Sequence, residues 1–83
     1  MSAHPVSPGW MEPLGVSLTE DGINVAVFST HATAIEFCLF DETGEIEIAR
    51  ILLPMRSFDI FHGAIAGIRP GARYGLRAYG PWA

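Results

Sequence analysis

The stretch Gly15-Val16-Ser17-Leu18-Thr19-Glu20-Asp21-Gly22-Ile23-Asn24-Val25-Ala26-Val27-Phe28-Ser29 decides the fold. Asp21-Gly22 tolerates positive φ and is a strong hairpin signal. The runs on either side of it, Gly15–Thr19 and Ile23–Ser29, are too short for helices and rich in β-branched residues. In the second run Ile23, Val25 and Val27 share one face, while Ala26 and Phe28 take the other. That pattern predicts a central strand covered on both sides.

Working outward, the same grammar repeats. Ala34 to Phe40 predicts a third strand, with Ile35, Phe37 and Leu39 on one face and Glu36, Cys38 and Phe40 on the other. Asp41-Glu42-Thr43-Gly44 is a turn, with glycine supplying the left-handed position. Glu45-Ile46-Glu47-Ile48 alternates and predicts a strand with one wet face. Met55-Arg56-Ser57 begins a loop, and Asp59 to Ala66 is a fifth strand. Arg69-Pro70-Gly71 is a further turn, and Arg73 to Tyr79 is the last strand. Short strands with turn signals at intervals of about eight to twelve residues predict an all-β sandwich or barrel. The domain occupies residues 10–83, and residues 1–9, with two prolines and no periodicity, are expected to be a flexible lead-in.

Composition narrows the partners. The 83 residues allow one modest core, and the 49% apolar and 17% charged fractions suggest a face reserved for docking. The net charge is −4, and all five basic residues are arginines (Arg50, Arg56, Arg69, Arg73, Arg77). Without clustered positive charge, nucleic acid and anionic membrane surfaces are disfavoured partners. Cys38, in the apolar run around Phe37, is expected to be a small buried hydrophobe. A disulfide-free β domain with no long apolar run is expected in the cytoplasm.

Several stretches, in order, resemble the N-terminal domain of isoamylase-type glycogen debranching enzymes. They are Pro13-Leu14-Gly15, Asp21 to Ser29, Ala32 to Asp41, Phe61-His62-Gly63, Pro70-Gly71 and Tyr74 to Pro81. The resemblance implies an early-set, immunoglobulin-like antiparallel β-sandwich of about 6–8 short strands, of the carbohydrate-binding module 48 type. In that family the module precedes an α-amylase-type barrel that hydrolyses α-1,6 branch linkages and carries the catalytic carboxylates. No position here then inherits a catalytic role, and the partners implied are that barrel in the same polypeptide and an α-glucan. The sequence departs from the family in two places. Phe61 stands where a Trp is usual, and Gly75 lies about where the related modules of kinase regulatory subunits carry a lysine.

The residues themselves offer little bond-making chemistry. Glycosidic hydrolysis needs two carboxyl groups about 5–10 Å apart, but Glu20, Asp21, Asp41 and Glu42 fall in turns, and Glu45 and Glu47 on a polar strand face. His4, His31 and His62 lack metal-ligand spacing, and no glycine run leads into a helix to cradle a phosphate. No cofactor or metal is implied. His62 is expected to be a hydrogen-bonder at a strand edge. Aromatic side chains are the groups able to stack on the C–H face of a pyranose or to anchor an interface. Trp82 and Tyr79 are the leading candidates for carbohydrate or interdomain contact, followed by Phe61, Phe40 and Trp10, with Phe40 and Phe61 expected mainly to pack in the core or beneath a face. Trp82 is expected mainly at the junction with the following domain, and Trp10 is expected to tether the lead-in.

Overall fold

The structure is a computed structural model and describes residues 4–80. Among these residues there are eight strands and no helix, in chain order β1 (Val6–Ser7), β2 (Gly15–Leu18), β3 (Gly22–Phe28), β4 (Ala34–Phe40), β5 (Glu47–Leu52), β6 (Met55–Ser57), β7 (Ile60–Ala66) and β8 (Arg73–Tyr79). They form two antiparallel sheets. The larger has the order β1-β7-β3-β2, with β6 also paired to β7, and the smaller is β5-β4-β8. The expected immunoglobulin-like sandwich is what the chain forms.

The core lies between the sheets and follows from strand alternation. Val25, Ile35, Phe37 and Ile65 are fully buried, with Ile23, Leu39, Ile51, Leu53, Phe61 and Ile68 packed around them. Tyr74 stacks on Phe37, with ring centroids 5.2 Å apart. Cys38 is buried as expected, although its register beside Arg50 and Gly75 puts it on the outer face of the smaller sheet.

The β2–β3 hairpin forms where Asp21-Gly22 predicts it, for a different reason. Gly22 is not among the residues with positive φ; the turn closes with Thr19 N–H donating to the Gly22 carbonyl and Gly22 N–H donating to Thr19 Oγ1. Glycine is required there because a Cβ would run into the Ile65 carbonyl oxygen of β7.

Several local expectations change. Met55–Ser57 is not the start of a loop but the strand β6, paired with β7 across a two-residue turn in which Phe58 and Asp59 adopt φ of 54° and 72°. These are left-handed values that only Gly, Asn and Asp adopt readily, so a Phe-Asp turn carries no sequence signature. The strand expected at Glu45–Ile48 starts at Glu47, because a register shift between Leu39 and Phe40 inserts a bulge. Ile46 and Ile48 are both exposed, so that segment has no dry face. Finally, the lead-in is partly paired. Val6 and Ser7 lie opposite Ile65 and Ala64, and Ala66 N–H donates to the Pro5 carbonyl.

The two buried polar side chains explain how that segment is held. Asn24 is 2% exposed on the outer face of β3; its Oδ1 accepts from Trp10 N–H at 2.8 Å and its Nδ2 donates to the Trp10 carbonyl at 3.0 Å. His62, on β7, donates from Nδ1 to the Pro8 carbonyl at 2.7 Å, since a carbonyl only accepts. In the neutral ring Nε2 then accepts from the Ser57 hydroxyl at 2.9 Å. His62 is therefore not at a strand edge: β7 has partners on both sides, and the imidazole is covered by the N-terminal segment. Gly9, at φ 66°, permits the crossing, because a Cβ there would strike Asn24 and the Gly63–Ala64 backbone.

Candidate functional site

A cluster of polar side chains lies on the outer face of the smaller sheet. The register places Tyr79 beside Ala34, Glu36 between Leu52 and Arg77, Cys38 between Arg50 and Gly75, and Phe40 between Glu47 and Arg73. Residues directly opposite across an antiparallel pair share a face, so one surface presents Glu36, Glu47, Arg50, Arg77 and Tyr79 together. The Tyr79 hydroxyl donates to Glu36 Oε1 at 2.6 Å. Arg50 donates from Nε to Glu47 Oε2 at 3.0 Å, and its Nη2 lies 2.9 Å from the same oxygen. Arg50 to Glu36 and Arg77 to Glu47 are looser, at 3.8 Å each.

The bulge builds this cluster. In a regular strand residues three apart point to opposite faces, and Glu47 could not meet Arg50. The extra residue, Ile48, turns Glu47 onto the outer face opposite Phe40. Next to it, Asp41 organises the β4–β5 turn. Its Oδ1 accepts from Thr43 Oγ1 at 2.6 Å, from Thr43 N–H and Gly44 N–H at 3.1 and 3.0 Å, and from Ile46 N–H at 3.4 Å. Arg73 Nε donates to the Glu42 carbonyl at 2.7 Å and fixes the turn to β8.

Electrostatically the face sets two carboxylates, Glu36 and Glu47, against the guanidiniums of Arg50 and Arg77, with Arg73 a third at its turn end. The hydrogen bond to Glu36 holds the Tyr79 phenol above its ordinary pKa, and the Glu47 carboxylate raises that of Arg50. These pairs are solvent-exposed and contribute little stability. Together they form an array of alternating donors and acceptors in which Glu36 and Glu47 are each paired with an arginine. Phe40 adds an apolar element over Gly75, whose missing side chain leaves its ring room at 3.6 Å from where a Cβ would sit.

The aromatic residues singled out from sequence are dispersed. Tyr79 lies on this face. Phe61 is 4% exposed and belongs to the core, with the Arg56 guanidinium 5.1 Å from its ring centroid, so it offers no free face. Trp10 is on the far sheet; its main chain does the tethering while the residue stays 62% exposed. Trp82 lies outside the described residues. The partners of Tyr79 escaped the sequence reading because register joins them; alternation that puts Glu36, Arg77 and Tyr79 on non-core faces was the available signal. No group of three side chains able to hold a metal occurs among the described residues, and no helix long and apolar enough to cross a membrane occurs among them.

A second surface is apolar. On β8 the core-facing side chains Tyr74 and Leu76 stay 47% and 45% exposed, because the opposing edge strand β2 does not reach over them. Val16, Leu18, Ile68, Ala72 and Tyr74 border a shallow gap along this β2–β8 seam.

Comparison with known proteins agrees with the architecture. The family model described as Carbohydrate-binding module 48 (Isoamylase N-terminal domain) matches residues 13–83. A glycogen debranching enzyme of Klebsiella pneumoniae is 48% identical over 77 residues, and that of Cronobacter sakazakii is 46% identical over 77 residues; each match covers 93% of this chain and 11% of the relative. A glycogen debranching enzyme of Erwinia tasmaniensis is 44% identical over 78 residues, covering 94% of this chain and 12% of the relative. The chain thus spans about one ninth of the length of these curated relatives. With its eight-stranded sandwich and a match over residues 13–83, the chain belongs to the carbohydrate-binding module 48 family, the isoamylase N-terminal domain.

Proposed function

We propose that this domain is the non-catalytic N-terminal module of a bacterial, cytoplasmic glycogen debranching enzyme. It docks on the catalytic domain of the same polypeptide and contacts branched α-glucan alongside it. The observation that carries the docking is the β2–β8 seam, where Tyr74 and Leu76 point toward the core side and are still nearly half exposed. Covering a half-exposed Leu or Tyr adds about 1 kcal/mol each, so a neighbour on this seam completes the sandwich. The module's contribution is positional: it makes and breaks no bonds. The α-1,6 hydrolysis belongs to the α-amylase-type barrel that the relatives' name and the family resemblance imply.

The test uses the full-length parent enzyme. Leu76→Asp lowers its thermal midpoint and its debranching rate, while Ile48→Asp on the opposite edge strand leaves both unchanged. Equal behaviour of the two variants overturns the seam as the docking face. A second reading, an independent glucan-binding module, is favoured by the paired donor-acceptor face around Glu36 and Tyr79, an array able to hydrogen-bond sugar hydroxyls. It requires the 83-residue chain alone to bind maltoheptaose saturably there.

A further inference from the structure

The N-terminal crossing builds a feature separate from both surfaces. Between the segment around Val6, the Trp10 indole and the β2–β3 turn lies a cleft of about 460 Å³, within the size range of small-ligand sites. Its lining is mainly apolar, supplied by Pro5, Val6, Trp10 and the Ala64–Ala66 stretch, while Thr19, Glu20 and Asp21 form one polar wall. The indole has a fixed base, because Asn24 grips both main-chain polar groups of Trp10. The main-chain tether fixes where the indole starts, so the largely exposed ring is held beside the cleft it lines.

We infer that this cleft is a sugar subsite in which a glucose ring of an α-glucan stacks on Trp10 and directs hydroxyls to Glu20, Asp21 and Thr19. The polar wall decides the ligand class. Two carboxylates repel anions such as phosphates or acidic peptides, and they accept hydrogen bonds well from neutral hydroxyls. An apolar floor with hydroxyl acceptors along one side matches a pyranose, which has C–H bonds on its face and O–H groups on its rim. The subsite lies on the larger sheet, remote in the fold from the Glu36–Tyr79 face, so a glucan chain engaged here leaves that face free. The inference rests on the reading that the module contacts α-glucan.

The experiment is a titration of the 83-residue chain with maltoheptaose, followed by two-dimensional amide and indole NMR, with Trp10→Phe used to assign the indole signals. Saturable shifts of the Trp10 indole and of the Thr19–Asp21 amides are expected. Trp10→Ala, which leaves the main-chain tether in place, weakens that binding about tenfold, and Glu20→Gln with Asp21→Asn weakens it while the fold is retained. Shifts confined to the Glu36–Tyr79 face overturn the subsite and leave glucan contact standing. No shift anywhere at millimolar sugar removes both. Thr19–Asp21 amide shifts that saturate with undiminished affinity in both the Trp10→Ala and the paired carboxylate variants also overturn the subsite.

Discussion

Replacing Asn24 with alanine tests how the N-terminal segment is attached. Asn24 is buried on the outer face of β3, and its amide makes two hydrogen bonds, 2.8 and 3.0 Å, to the main chain of Trp10. Each bond contributes about 1 kcal/mol net, and part-buried Trp10 groups left without a partner add to the loss. The expected destabilisation is therefore about 2–3 kcal/mol, against a total near 4–12 kcal/mol for a chain of this size. For so small a domain that lowers Tm by about 10–20 °C. Urea unfolding followed by circular dichroism reads the loss, and hydrogen exchange of residues 5–10 shows whether the segment has come away. Asn24→Asp sharpens the case: the carboxylate still accepts from Trp10 N–H but turns an acceptor toward the Trp10 carbonyl. That variant is unstable at neutral pH and recovers on acidification, as the carboxyl gains a proton to donate. A stability change under about 0.5 kcal/mol for Asn24→Ala, with unchanged exchange at residues 5–10, refutes the reasoning.

Asp41, hydrogen-bonded first by Thr43 and then by the turn amides, has its pKa held below the ordinary carboxylate value. A depressed carboxyl stabilises the fold above its unfolded pKa of about 4 and loses that contribution as pH falls through the folded value; Asp41→Asn should flatten the acid side of the stability profile. Tyr79, raised by its bond to Glu36, stabilises below the unfolded phenol value of about 10 and stops doing so as pH rises through the folded value. Phenolate absorbance should show one late-titrating tyrosine that Tyr79→Phe removes. Gly75→Lys should fold with stability within about 0.5 kcal/mol, because its Cβ would meet only Phe40 Cε2, at 3.6 Å, and a calorimetric melt checks this.

Much of the sandwich is written in local pattern. The alternation of Ile23–Phe28 and Ala34–Phe40 specifies which side chains enter the core, and Phe37, Ile35 and Val25 are buried accordingly. What failed was not local. The turn at Phe58-Asp59 is held in left-handed geometry by the strands it joins, so its residue types do not announce a hairpin. The bulge at Ile48 arises from pairing with Phe40, and only that pairing brings Glu47 to Arg50. Asn24 was not singled out from sequence, because the partner that explains a lone amide amid apolar strand residues lies 14 positions earlier in a proline-broken segment. Tyr79 was identifiable as a candidate contact aromatic at the end of the last strand, whereas its bond to Glu36 spans 43 residues and needs the β4–β8 register.

The central claim is that the β2–β8 seam is covered in the parent enzyme. Thiol labelling of Leu76→Cys measures this directly, since the native Cys38 is buried and reacts slowly. In the 83-residue chain the introduced thiol, at a position 45% exposed, should react with a maleimide about as fast as a free thiol. In the full-length debranching enzyme it should react at least tenfold more slowly, by roughly the 1.4 kcal/mol that separates an open from a covered site per decade. Equal rates in the two proteins would contradict the account.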